Sequence, residues 1–103
     1  MTQEEARSRL AGLREEIDAI DQRIVDLLNQ RASIAERIGD TKEAAGLPVI
    51  EPGREQQVIE RVAARNRGPL EHDAVKKIYE CIMLEMRRIQ FVRMETKEKG
   101  SGE

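Results

Sequence analysis

The sequence predicts an all-α chain of three helices, one long and two shorter, that dimerises through the long one. Three observations carry this. Leu10, Leu13, Ile17, Ile20, Ile24, Leu27, Ile34 and Ile38 recur at alternating steps of three and four, the heptad seam of a single helix. Gly46-Leu47-Pro48 and Asn66-Arg67-Gly68-Pro69 break the remaining chain into two further helical stretches. Tyr79 and Phe91 are the only aromatic residues, so the core must be aliphatic. A helix of roughly 35 to 40 residues would stand far outside a chain this small. Two shorter helices cannot cover its seam, and a second copy of the long helix can.

Taken in order, helix one is expected over about residues 4 to 45. Gly12 and Gly39 lie inside it, each unfavourable by about 1 kcal/mol against Ala. Gly39 stands beside Ile38, where it can admit a neighbour. Gly46 suits a left-handed cap, and Pro48 follows it. Pro52 opens helix two, expected to about Arg65, with Val58, Ile59, Val62 and Ala63 as its apolar stripe. Helix three is expected over about residues 71 to 94, with the stripe Val75, Ile78, Tyr79, Ile82, Met83, Met86 and Ile89. The next position on that stripe is polar, Gln90. Cys81 lies among Ile78, Ile82 and Met83 and reads as a small buried hydrophobe. One helical domain is expected through residue 96, then a disordered polar tail over 97–103.

Composition narrows the function. Charged residues are 37% of the chain, yet the net charge is −2. Without a single-sign field, nucleic acid is an unsuitable partner. No apolar run approaches a membrane span, and the first ten residues hold no signal-peptide core, so a cytoplasmic protein is expected. With one cysteine and one histidine, His72, neither an intrachain disulfide nor a Cys/His metal site is expected. His72 reads as a solvated helix-start residue. No Ser-His-Asp set and no P-loop is present.

Cations interrupt the seam instead. Arg31 occupies the place between Leu27 and Ile34 where an apolar residue is due, and Lys42 continues the stripe four residues beyond Ile38. A long cation can snorkel and cover apolar surface with its stem. Desolvating it without a partner costs several kcal/mol, however. Arg31 and Lys42 share a face about 16 Å apart along the axis, within reach of one small dianion. Arg14 lies about 25 Å before Arg31 on another face, so it meets the same ligand only from a second chain. With Glu51, Arg54, Glu55 and Gln90, the polar set suits clamping a small multi-anion between helices. Donors of this kind stabilise charge developing in a transition state, each by roughly 3 to 4 kcal/mol.

The segments LREEIDAIDQRIVDLLNQRASIAERIGDTK, GLPVIEPGRE and IYECIMLEMRRIQ carry, in order, L-R-x-x-I-D-x-I-D, L-x-x-R, I-G-x-x-K and P-V-x-x-P-x-R-E. Jointly these resemble the all-α chorismate mutase family over about residues 10 to 90. The resemblance implies an intertwined dimer of three-helix chains with two equivalent sites. It also implies the cofactor-free Claisen rearrangement of chorismate to prephenate in phenylalanine and tyrosine biosynthesis. Matched by motif, Arg14 resembles the arginine that enters from the partner. Arg31 resembles the arginine that pairs with a substrate carboxylate. Lys42 resembles the lysine that reaches a carboxylate and the ether oxygen. Glu55 resembles the acceptor of the ring hydroxyl, with Arg54 a supporting arginine. Gln90 resembles the donor that meets the breaking ether bond beside the lysine.

Two positions depart from the family pattern. Glu51 stands where Asp is common; the change keeps the charge and lengthens the arm, and is expected to cost little if the role there is a backbone N–H. Met86 stands where Ser is frequent and can bond a substrate carboxylate. Its loss implies weaker affinity or a remodelled pocket wall. Lyases that eliminate pyruvate from isochorismate share this fold and similar cations; the intact P-x-R-E segment favours the mutase. A non-catalytic helical dimerisation module is the remaining alternative, in which polar breaks only set register. Some short mutases of the family dock onto another shikimate-pathway enzyme, and the resemblance extends that expectation here.

Overall fold

In the computed structural model the chain forms three helices: α1, Gln3–Ala45; α2, Pro52–Ala64; and α3, His72–Ser101. The structure describes residues 1–101, with side chains through residue 96. No strand occurs among the described residues. The chain divides into two compact units, Met1–Arg31 and Ala32–Glu103.

The first unit is a stretch of α1. Thr2 caps it, its hydroxyl oxygen accepting from the Glu5 N–H at 3.1 Å. Glu4 and Glu5 lie in the first turn, where negative charge meets the positive end of the helix dipole. Leu10, Leu13, Ile17, Ile20, Ile24 and Leu27 are each between 44% and 58% exposed. The heptad seam is thus uncovered within one chain.

The second unit holds the end of α1 with α2 and α3. Its buried residues are Ala35 and Gly39 on α1, Ile59 and Ala63 on α2, and Met83, Met86 and Gln90 on α3. Ile34 and Ile38, expected to be seam residues, remain about half exposed. The buried face of α1 here is instead the small-residue line Ala35–Gly39. A Cβ placed on Gly39 would meet Gln90 Cγ at 3.0 Å, so the absence of a side chain is what lets α3 approach.

The loops follow local chemistry. Gly46 takes φ +69°, as a left-handed cap requires. The Leu47 N–H donates to the Lys42 carbonyl at 2.8 Å and the Gly46 N–H to the Glu43 carbonyl at 3.2 Å. Pro52 opens α2 as expected. Asn66 organises the next turn, accepting from the Gly68 N–H at 3.1 Å and donating to the Leu70 carbonyl at 2.6 Å.

Three expectations are corrected. Cys81 is exposed, because the buried line of α3 runs through Met83, Met86 and Gln90, and Cys81 lies off it. Ile78 is 49% exposed for the same reason. The polar segment expected to be a disordered tail from residue 97 is helical as far as Ser101, while residues 102 and 103 lie outside the described residues. Lys and Glu propagate a helix without needing apolar contacts, so its end is not marked by the stripe.

Candidate active site

Lys42 is fixed by the turn that follows its own helix. The cap at Gly46 reverses the chain and brings Val49 and Glu51 back to it. Lys42 Nζ donates to the Val49 carbonyl at 2.9 Å and pairs with Glu51 Oε1 at 2.8 Å. Its side chain is only 12% exposed. An ammonium has three N–H donors, and these two contacts leave one for a ligand. Glu51 occupies the cap position before Pro52 but makes no side-chain capping bond. Its carboxylate instead pairs with Lys42.

Gln90 is set by the close pass of α3 over Gly39. It is buried, and its Oε1 has no hydrogen-bond partner among the described residues. Half a turn about the terminal torsion exchanges Oε1 and Nε2, so the amide can accept or donate there. Met86, four residues earlier on the same face, is buried and presents no polar atom but its thioether.

Glu55 opens the buried line of α2, four residues before Ile59. Arg87 on α3 grips it in a fork: Nε donates to Oε2 at 3.2 Å and Nη2 to Oε1 at 2.5 Å. That hydrogen bonding, then the attraction of the carboxylate charge, raises the Arg87 pKa from its ordinary value, with burial opposing. Sequence reasoning missed Arg87. Its signal was the one that exposed Arg31: a cation on a buried stripe, four residues after Met83 and three before Gln90.

Arg54 is exposed and donates to Gln57 Oε1 at 2.9 Å. Arg14 is exposed and Arg31 half-buried, both in the first unit. A groove of about 410 Å³ lined by Ile34, Arg37, Ile38, Thr41 and Lys42 gives the lysine an apolar border. Among the described residues no cluster of His, Cys, Asp or Glu is arranged to hold a metal ion. No described helix is long and apolar enough to cross a membrane.

Fold and polar set together define a class: all-helical chains with a buried amide and cations anchored by carboxylates. The family model for chorismate mutase type II matches residues 13–91. The chain belongs to that family. It is 40% identical over 85 residues to a bifunctional chorismate mutase/prephenate dehydratase of Aquifex aeolicus, covering 74% of this chain and 24% of that protein. The chain thus spans about a quarter of the length of such bifunctional relatives. It is 33% identical over 86 residues to a 4-amino-4-deoxychorismate mutase of Streptomyces venezuelae, covering 82% of each. Among solved structures, the chorismate mutase of Helicobacter pylori in complex with prephenate superposes with a TM-score of 0.79. It is 32% identical, and the match covers 85% of this chain and 96% of that one.

Proposed function

We propose that the chain is a chorismate mutase that converts chorismate to prephenate. The observation that carries this is the match to the Helicobacter pylori structure, whose bound ligand is the product of that reaction, over nearly all of its chain. The local chemistry agrees. The rearrangement is unimolecular: the ether C–O bond breaks as a C–C bond forms, and no group is transferred to the protein. What a site contributes is a folded substrate conformation and charge aimed at the oxygen on which charge builds.

Lys42 offers its remaining N–H and Gln90 its amide to that ether oxygen. Glu51 keeps the ammonium in place. Arg31 pairs with one substrate carboxylate, and Glu55 accepts from the ring hydroxyl. Arg54 supplies positive potential near α2, and Met86 forms an apolar wall. Arg14 enters from a second copy of the chain. The uncovered seam from Leu10 to Leu27 supports a homodimer, since a row of large aliphatic side chains left in water is the surface that association removes.

The test is turnover by the purified protein on chorismate, isochorismate and 4-amino-4-deoxychorismate in parallel, with products identified. Prephenate from chorismate as the preferred reaction is expected. Pyruvate and salicylate from isochorismate, with chorismate untouched, would replace the assignment with the lyase. Preference for the amine would replace it with the activity for which the Streptomyces relative is named.

A further inference from the structure

We propose that Arg87 is a positioning residue of this site, holding Glu55 as a fixed, charge-balanced acceptor that prefers a neutral ring hydroxyl to a ring amine. This rests on Glu55 being the group that meets the ring substituent.

The geometry is specific. Glu55 and Arg87 lie on different helices, 32 residues apart. Both carboxylate oxygens are engaged by two nitrogens of one planar guanidinium. A fork of this kind fixes the plane of the carboxylate as well as its place, which a single-point lysine contact does not. Their side chains are 21% and 33% exposed, so solvent weakens the pair only in part. Arg87 lies four residues after the buried Met83 and three before the buried Gln90, on the same face of α3. The fork uses one lone pair on each oxygen, and each keeps another for an incoming donor.

Charge then sets a preference. A bare glutamate attracts an ammonium more strongly than a hydroxyl. With Arg87 forked to it, the pair carries no net charge toward the ligand. A hydroxyl still finds an acceptor, whereas an ammonium also meets the guanidinium. The positive charge thus discriminates between substrates that differ in one substituent.

A salt bridge that only ties α2 to α3 would affect melting and leave substrate preference alone. The experiment is steady-state kinetics on chorismate and 4-amino-4-deoxychorismate for wild type, Arg87→Met, Arg87→Lys, Glu55→Gln and the double variant Arg87→Met/Glu55→Gln, with melting curves for each. Arg87→Met is expected to lower kcat/KM for chorismate by about ten- to a hundredfold. It is also expected to shift the ratio of kcat/KM values toward the amine by about tenfold. Arg87→Lys, which keeps the charge and loses the fork, should retain the wild-type preference at a reduced rate. The double variant should be no worse than Glu55→Gln alone, because Arg87 acts through Glu55. Unchanged preference in Arg87→Met, or losses that multiply in the double variant, would overturn the proposal, whatever the melting curves do. Glu55→Gln with full activity on chorismate would overturn the role of Glu55 itself, and this inference with it.

Discussion

At the scale of single residues, one side chain is held at a cost to the empty fold. Arg31 is half-buried, and its side chain makes no hydrogen bond or ion pair among the described residues. Replacing it by Ala removes that charge and keeps a strong helix former. Arg31→Ala is therefore expected to abolish nearly all turnover while melting at the wild-type temperature or higher; a melt that falls in step with activity would assign Arg31 to the fold. Gly39 presents the opposite case. Ala gains about 1 kcal/mol in helix propensity there, but its Cβ presses on Gln90 at 3.0 Å, and overpacking costs about 1 to 3 kcal/mol. Gly39→Ala is expected to change stability little and to displace Gln90, lowering kcat about tenfold or more with a smaller effect on KM. Sequence made Arg31, Lys42 and Gln90 visible because each interrupts an apolar period. Arg87 interrupts one too, but it adjoins Arg88 and Met86 and reads there as surface. Which carboxylate it grips depends on how α2 meets α3, and no local pattern encodes that.

At the scale of elements, small residues and charges dock α3 on α1 in the second unit. Arg93 donates to Glu36 Oε2 at 3.2 Å and, through Nη2 and Nε, to Asp40 at 3.3 and 3.4 Å. Glu36 and Asp40 are one turn apart, where like charges repel unless a cation lies between them. Arg93→Ala should lower stability by about 0.5 to 1 kcal/mol, read as a drop of a few degrees in Tm. The drop should shrink in about 1 M salt, which shortens the screening length to roughly 3 Å. The start of each helix and the end of α1 were legible because Pro52, Gly46 and the Asn66–Pro69 turn are local signals. The end of α3 was not, since Lys and Glu sustain a helix with no stripe to mark it. The face by which α1 meets α3 was misjudged for a related reason: Ala35 and Gly39 contribute little hydrophobicity, and the large Ile34 and Ile38 beside them drew attention to the wrong side.

At the scale of the molecule, the exposed seam of the first unit is what supports the proposed homodimer. Six large aliphatic residues half open to water are far more than the single exposed side chains ordinary for a surface. A charge in the middle of the row should block their burial. Ile24→Glu is expected to elute as a helical monomer in gel filtration and to lose turnover, whereas a folded, active monomer would remove Arg14 from the partner's site. The composition supports the proposed dimer: with an aliphatic core and two shorter helices, one chain offers little to cover so long a helix.

In the proposed homodimer, that seam would make the chains exchangeable. If each site takes Arg31 from one strand and Arg14 from the other, two dead sequences can share a living site. A chain carrying Arg14→Ala still owns a sound Arg31, and one carrying Arg31→Ala still owns a sound Arg14. Unfolded together and refolded in equal amounts, they should pair at random, half as hybrids, each hybrid with one complete pocket and one that lacks both arginines. The mixture should recover about a quarter of wild-type turnover from two parents that have almost none, the arithmetic of a two-fold assembly.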